Sequence, residues 1–205
     1  MRIGILAVQG DYQAHAGVLK RLGAEHFFVR TPEEAARAEA MILPGGESTT
    51  MIKFLKEEGL EAPLRSLAAR GGGFLGTCAG AILLAREVRG PAQWSLGLAD
   101  LVVTRNAYGR QVASAVRYAP SKLKPQPLEM VFIRAPLIEE IGPQVEVLAS
   151  EDGHPVLVRQ GKILVATFHP ELTGDTSVHE YFLKLAAEPP RSAPVSSPAR
   201  TAVSI

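Results

Sequence analysis

The chain is expected to fold as an α/β protein of three layers, with a mostly parallel central sheet, helices on both faces and antiparallel additions in the C-terminal half. Three observations predict this. Apolar runs alternate with amphipathic segments through the first 85 residues, the pattern of β-α-β units joined by right-handed crossovers. Those runs are hydrophobic along their whole length, as strands covered on both faces must be. From about residue 100 the chain becomes a series of short strand-like runs separated by tight turns.

"RIGILAV" (2–8) is the first strand, followed by the helical pattern "DYQAHAGVLKRLG", with Asp11 as the expected cap and Gly23 as the stop. "HFFVR" (26–30) is the second strand and precedes the Pro32-led helix "PEEAARA". "AMILPGG" (40–46) leads into "STTMIKFLKEEG", where Ser48 is expected to cap a helix ended by Gly59. A helical stretch over 60–70 then feeds the strand "GGFLGTC". The later runs "LVVTRN", "VASAVRY", "LEMVFIRAP", "VEVLAS", "PVLVRQ" and "ILVATFHP" are read as antiparallel additions to the sheet, with "ILVATF" returning near its centre. The last helix is expected over 175–187, capped by Asp175. Residues 1–187 therefore read as one domain. The remaining 188–205, rich in Pro, Ser and Ala, reads as a disordered tail with no assigned role.

A chain of 205 residues can bury a sizeable core. Its 46% hydrophobic and 21% charged content is ordinary for a globular protein. The formal net charge of +1 gives no electrostatic basis for binding nucleic acid. A single cysteine excludes an internal disulfide and a cysteine-rich zinc site. The opening "MRIGILAVQG" is too short for a membrane span and lacks a small-residue cleavage site, so a cytoplasmic location without membrane association is expected.

That single cysteine, Cys78, lies in Gly-x-Cys-x-Gly, where a strand-like run meets a helical one. In a strand-turn-helix elbow the nucleophile occupies a strained turn and its neighbours must be small, a demand that Gly76 and Gly80 meet. The helix from Ala79 would aim unpaired N–H groups at the sulfur and favour thiolate. A free cysteine with a pKa of about 8.5 is only about 3% thiolate near neutral pH, and lowering that pKa to about 6 makes it about 90% thiolate. From the elbow alone two readings stand: a nucleophile, or a small core cysteine on a glycine-rich loop.

A nucleophilic thiol needs a proton-transfer partner. His15 in the first helix and His26 opening a strand read as structural, His154 falls in the turn "EDGHP", and His179 reads as packing or capping locally. His169 differs, because it emerges at the carboxyl end of "ILVATF", where open α/β sheets place their sites. Glu171 follows two residues on, across Pro170, and can orient the imidazole as the third member of a Cys–His–acid triad. One His and one Glu without further clustered ligands make a poor metal site, so no metal is expected. "LPGGEST" (43–49) is either an ordinary turn or a loop whose N–H groups complete an oxyanion hole with that of Ala79. It lacks the Gly-Lys-Ser/Thr ending of a phosphate-binding loop.

Taken together, "GTCAG", "FHPE" and "PGGES" resemble the elbow, base-and-acid segment and oxyanion loop of the class I (triad) glutamine amidotransferases. Within that superfamily, "AVQGDYQAH", "LPGGESTT", "GTCAG", "RNAYGRQ", "FIRAP" and "FHPELTGDTSVHEYF" are similar to the glutaminase subunits of pyridoxal 5′-phosphate synthases, from residue 3 to about 185. The resemblance implies a glutaminase without a cofactor, in which Cys78 attacks the side-chain amide of L-glutamine, His169 transfers protons and Glu171 orients His169. It further implies that Gly46, Glu47, Ser48, Arg105, Ile133 and Arg134 contact glutamine, that Gly45, Gly46 and Ala79 hold the oxyanion, and that a separate synthase subunit takes the ammonia. The alternatives are a glutaminase subunit of another pathway, such as histidine biosynthesis, a cysteine-elbow stress or chaperone-like protein whose thiol senses oxidation, and a non-catalytic binding module.

Overall fold

The computed structural model describes residues 1–105 and 114–189. "RNAYGRQ" beyond Arg105 and the expected tail beyond Pro189 lie outside the described residues. The first half runs β1 (Ile3–Leu6), α1 (Tyr12–Arg21), β2 (His26–Val29), α2 (Pro32–Ala36), β3 (Ala40–Leu43), α3 (Ser48–Glu57), α4 (Glu61–Ala69), β4 (Gly73–Thr77) and α5 (Ala79–Leu84). The second half adds β5 (Ala85–Arg89), β6 (Ala99–Thr104), β7 (Ser114–Ala119), β8 (Leu128–Ile133), β9 (Leu137–Ile141), β10 (Glu146–Glu151), β11 (His154–Gln160), β12 (Ile163–Ala166) and α6 (Ser177–Ala187). A single 3₁₀ turn, Pro170–Leu172, lies between β12 and α6.

The central sheet has seven strands in the order β10-β11-β12-β4-β3-β1-β2. Strands β12, β4, β3, β1 and β2 are parallel, and β11 and β10 continue the sheet antiparallel beyond β12. "ILVATF" thus returns to the centre beside β4, as expected. The other later strands do not extend this sheet. β5, β6 and β9 form a three-stranded sheet and β7–β8 a separate antiparallel ribbon.

Period-two alternation sorts the central strands between two cores. Met41 and Leu43 of β3, Phe74 of β4 and Val165 of β12 face one side, with Leu55 of α3, Leu64 of α4 and the three-stranded sheet. Ala40, Ile42, Leu75 and Leu164 face the other, with Leu19 of α1, Phe182 of α6 and Met130 of the ribbon. Helices therefore cover both faces and the strands between them are dry.

Helix starts differ in detail from the expected caps. α2 begins in a capping box, Thr31 Oγ1 accepting from Glu34 N–H and Glu34 Oε2 from Thr31 N–H. At α3 the cap is Glu47 rather than Ser48, its two oxygens accepting from the N–H groups of Thr49 (3.0 Å) and Thr50 (2.7 Å). Glu reaches over the first turn with one more methylene than Asp, which leaves Ser48 free to turn inward and donate to Gln93 Oε1. Asp11 makes no side-chain cap at α1. α6 starts two residues later than expected, although Asp175 Oδ1 still accepts from Ser177 N–H.

The turn from β4 to α5 has no residue between strand and helix except Cys78. Cys78 adopts φ 47° and ψ −102°, a conformation that L residues rarely occupy. A Cβ added to Gly80 would overlap the Leu43 carbonyl oxygen at the end of β3, so α5 can start this close to the sheet only without a side chain there. Gly80→Ala is accordingly expected to destabilise the fold by about 1–3 kcal/mol, as overpacking does. Urea unfolding monitored by circular dichroism reads this directly.

Candidate active site

The carboxyl ends of β1, β3, β4 and β12 converge on one cleft of about 260 Å³. Its walls are Gln9 and Asp11 after β1, Gly46, Glu47 and Ser48 after β3, Cys78, Ala79 and Ile82 at the elbow, and His169 after β12. Arg105 after β6, Ile133 at the end of β8, and Arg134 and Pro136 beyond it close the remaining side. All six residues expected to contact glutamine line this cleft, together with Cys78, Ala79 and His169. Glu171 lies behind His169, and Gly45 lies against the imidazole, where a Cβ would come within 2.8 Å of Nδ1.

Strand register brings the thiol and imidazole together. β12 and β4 pair in parallel with Ala166 opposite Thr77, so Cys78 and His169 both emerge just beyond the last paired residues. The Cys78 N–H donates to Ala166 O at 2.9 Å, and the His169 N–H to Val131 O of β8 at 2.8 Å. The Cys78 thiol donates to the Ile133 carbonyl at 3.8 Å, a sulfur hydrogen bond. His169 Nδ1 is hydrogen-bonded to Glu171 Oε1 at 2.8 Å, with both side chains buried.

The electrostatics follow from that burial. Desolvation pulls the His169 imidazole down, but its contacts with Cys78 and Glu171 outweigh it and lift its pKa to about 10. Burial pushes the Glu171 carboxyl up, opposed by the bond to His169. The two directions agree with one proton held between Nδ1 and Oε1. Burial also raises Glu47, yet the amide and hydroxyl of Thr50 and the amide of Thr49 outweigh it and bring this carboxyl down to about 2. Glu47 is thus a charged cap at the cleft's edge, with Arg105 Nη2 3.8 Å from its Oε1. Among the described residues, no carboxylate lies within salt-bridge distance of Arg134, whose backbone has φ 44°.

Four wall residues had not been singled out for the site: Gln9, Asp11, Ile82 and Pro136. Gln9 Oε1 accepts from Glu47 N–H at 2.8 Å, and the Asp11 N–H donates to Gly45 O at 3.1 Å, so the segment after β1 holds the Gly45–Gly46 loop. Asp11 Oδ2 lies 3.8 Å from His169 Nδ1, its carboxylate facing the site rather than capping α1. Asp11, His169 and Glu171 bring ligand-type atoms within 4.8 Å of one another, a grouping that sequence spacing hides. Its two buried donors are committed to each other.

With this geometry in view, comparison with known proteins is specific. The model of the SNO glutamine amidotransferase family matches residues 5–188. A pyridoxal 5′-phosphate synthase subunit PdxT from Koribacter versatilis is 57% identical over 185 residues, covering 90% of this chain and 95% of that protein. A protein of the same name from Fervidobacterium nodosum is 47% identical over 92% of this chain and 98% of its own length. A solved glutamine amidotransferase superposes with a TM-score of 0.84 at 47% identity, over 90% of this chain and 98% of that one. PurLQS from Thermotoga maritima shares the fold at 15% identity, with a TM-score of 0.65 over 89% of this chain and 97% of that one.

Glu171→Gln keeps an acceptor oxygen but removes the negative charge, one of the two influences with Cys78 that lift the imidazole, so His169 is expected to titrate below about 10. Because folding raises this pKa, the stabilisation from the pair is full below about pH 6.5 and lost as pH rises through about 10. NMR titration of the histidine side chain in both proteins tests the direction. An unchanged titration would show that Glu171 does not set the charge of His169.

Proposed function

The chain belongs to the SNO glutamine amidotransferase family, and from this we propose how it works: it is the glutaminase subunit of a pyridoxal 5′-phosphate synthase, hydrolysing L-glutamine to L-glutamate and ammonia for a separate synthase subunit. What supports this most is the strained Cys78 elbow opening into the same cleft as an imidazole backed, at 2.8 Å, by a buried carboxyl. A redox-sensing thiol has no use for the His169–Glu171 pair. A cytoplasmic location suits a nucleophilic thiol that must stay reduced.

Glutamine enters with its carboxamide at Cys78. With the Cys78 proton on His169, the sulfur adds to the amide carbon, and the negative charge that develops on oxygen is met by the N–H groups of Ala79 and the Gly45–Gly46 loop. The C–N bond breaks as His169 supplies a proton to nitrogen, releasing ammonia and leaving a glutamyl thioester. His169 then takes a proton from water, the hydroxide adds to the thioester, and glutamate departs as the proton returns to sulfur. Glu171 keeps the imidazole oriented and stabilises its charged form throughout. Arg134, with Arg105 deeper in the wall, suits the α-carboxylate of the substrate, while Gly46, Glu47, Ser48 and Ile133 shape the pocket around it.

Coupling to the synthase subunit has a structural handle in the same loop. The Gly45 carbonyl is engaged by Asp11 N–H at 3.1 Å, and a Gly–Gly peptide can rotate its N–H toward or away from the oxyanion at little steric cost. A partner docking on α3 (Ser48–Glu57) would fix that loop in its catalytic orientation. Glutamine would then be hydrolysed only where its ammonia is consumed.

Two outcomes are expected. A glutamine-mimicking diazo-ketone alkylates Cys78 one-to-one in the assembled complex, by peptide mass spectrometry, and Cys78→Ser abolishes both labelling and ammonia release. Labelling at another residue would remove Cys78 as nucleophile. The purified chain alone releases ammonia slowly, and adding the synthase subunit raises the rate by about 10²- to 10³-fold, the worth of one oxyanion donor. Full activity without the partner would sink the gate and leave the triad untouched.

A further inference from the structure

Behind the triad, on the side away from the cleft, two more histidines are fully buried: His15 on α1 and His179 on α6. His15 Nε2 is 3.1 Å from the hydroxyl of Thr77, the residue before the nucleophile, and 3.5 Å from Glu171 Oε2. His15 Nδ1 is 2.9 Å from His179 Nε2. Glu171 Oε2 and His179 Nδ1 have no hydrogen-bond partner among the described residues. Buried imidazoles with a wholly apolar role would be costly, since each brings two polar atoms that need partners.

The proton positions in this chain can be argued from its ends. Burial, then the neighbouring His179 and His169, hold His15 well below its ordinary pKa, and burial with Arg21 brings His179 to about 4, so both rings are neutral. Each then has one donor and one acceptor. If His15 carried its proton on Nδ1, His179 Nε2 would accept it. His179 would then bury an unpaired N–H at Nδ1, while the lone pair of His15 Nε2 faced the Glu171 carboxyl oxygen. If His179 donates from Nε2 instead, only an acceptor is left unpaired, which costs less than an orphaned donor. His15 then points an N–H at Thr77 Oγ1, with Glu171 Oε2 3.5 Å from the same nitrogen.

We propose that His15, set in one tautomer by His179, is a positioning residue for the glutaminase reaction: its Nε2–H ties the residue preceding the nucleophile to the free oxygen of the triad acid. It spans the two halves of the triad from behind, linking the end of β4 to the 3₁₀ turn after β12. Glu171 then presents Oε1 to His169 while Oε2 is held, and elbow and acid keep a fixed separation. The inference rests on the glutaminase activity proposed above, and it concerns a residue that touches neither substrate nor sulfur.

The first test needs no substitution. Long-range proton–nitrogen correlation on histidine-labelled chain is expected to find His15 and His179 both as Nε2–H tautomers. His15 protonated on Nδ1, or on both nitrogens, overturns the proposal. The second test is steady-state ammonia release by the complex reconstituted with the synthase subunit. His15→Ala is expected to lower kcat about 10- to 100-fold, as loss of an outer orienting partner does, with the KM for glutamine within about twofold. His15→Gln, whose amide N–H can reach the place of Nε2, recovers much of that loss. Full kcat in His15→Ala overturns the proposal, as does an equal loss in two folded variants with matching melting curves. Should His15→Ala fail to fold, the tautomer measurement on the unaltered chain decides. A wild-type complex that releases no ammonia would instead remove the glutaminase reading and leave the tautomer result standing.

Discussion

The chemistry proposed for this fold depends on one strained backbone position. Cys78 holds φ 47° in a right-handed protein world, a state that costs about 1–3 kcal/mol and persists only where the surroundings over-determine it. Here they do. The residue's N–H is bound by Ala166 O of β12 and its carbonyl by Ala81 N–H of α5, at 2.9 and 3.0 Å. On the other side Gly80 backs onto the end of β3, and a Cβ on Gly76 would come within 2.7 Å of the Gly80 carbonyl oxygen. Two central strands and a helix thus clamp the elbow, and the only direction left for the side chain is into the cleft.

The same strand pair fixes the second requirement of the proposed reaction, an imidazole with a carboxyl partner. Because β12 lies directly against β4, the imidazole that follows β12 reaches the cleft beside the elbow without a long loop. Glu171 is carried on the next turn, and burial there makes its charge expensive unless it is shared. The bond to His169 is what compensates for that burial. The pair therefore acts as one unit, in which the acid cannot be removed without altering the base.

Much of this was legible in the sequence, for reasons that are local. Strands β1, β3, β4 and β12 are apolar on both faces, and β2 reads as an apolar run between charged segments, so all five stand out from the amphipathic helices. Glycines and a cysteine in fixed order mark the elbow. What was missed depends on context that spacing does not carry. β5 follows α5 without a turn residue between Leu84 and Ala85, so nothing in the sequence marks "AREVR" as a new strand. β9, "LIEEI", has two adjacent acids, which break the alternation of a half-buried strand. Whether β6, β7 and β8 join the central sheet depends on which edges are free, a property of the assembled sheet. His15 and His179 stand 164 residues apart, and their adjacency exists only once α1 and α6 pack on the same face.

The two halves of the cleft are held by different kinds of bond, and this difference bears on control. Cys78, His169 and Glu171 are buried and anchored to paired central strands, so moving them would require opening the sheet. The Gly45–Gly46 loop is held mainly by contacts from one short segment: the amide of Asp11 on the Gly45 carbonyl and the side chain of Gln9 on the amide of Glu47. Arg105 and Arg134 stand at the ends of the two smaller sheets, outside the central one. Local stability in a protein tracks burial and pairing, so the loop and the arginine wall belong to its more easily shifted part. An external surface that offers a few hydrogen bonds' worth of differential binding can therefore reset this loop, the proposed oxyanion side of the site. It can do so without disturbing the nucleophile, because no covalent strain or buried charge has to move with it. On the function proposed above, a fixed triad beside an adjustable loop would let a second subunit decide when the thiol works.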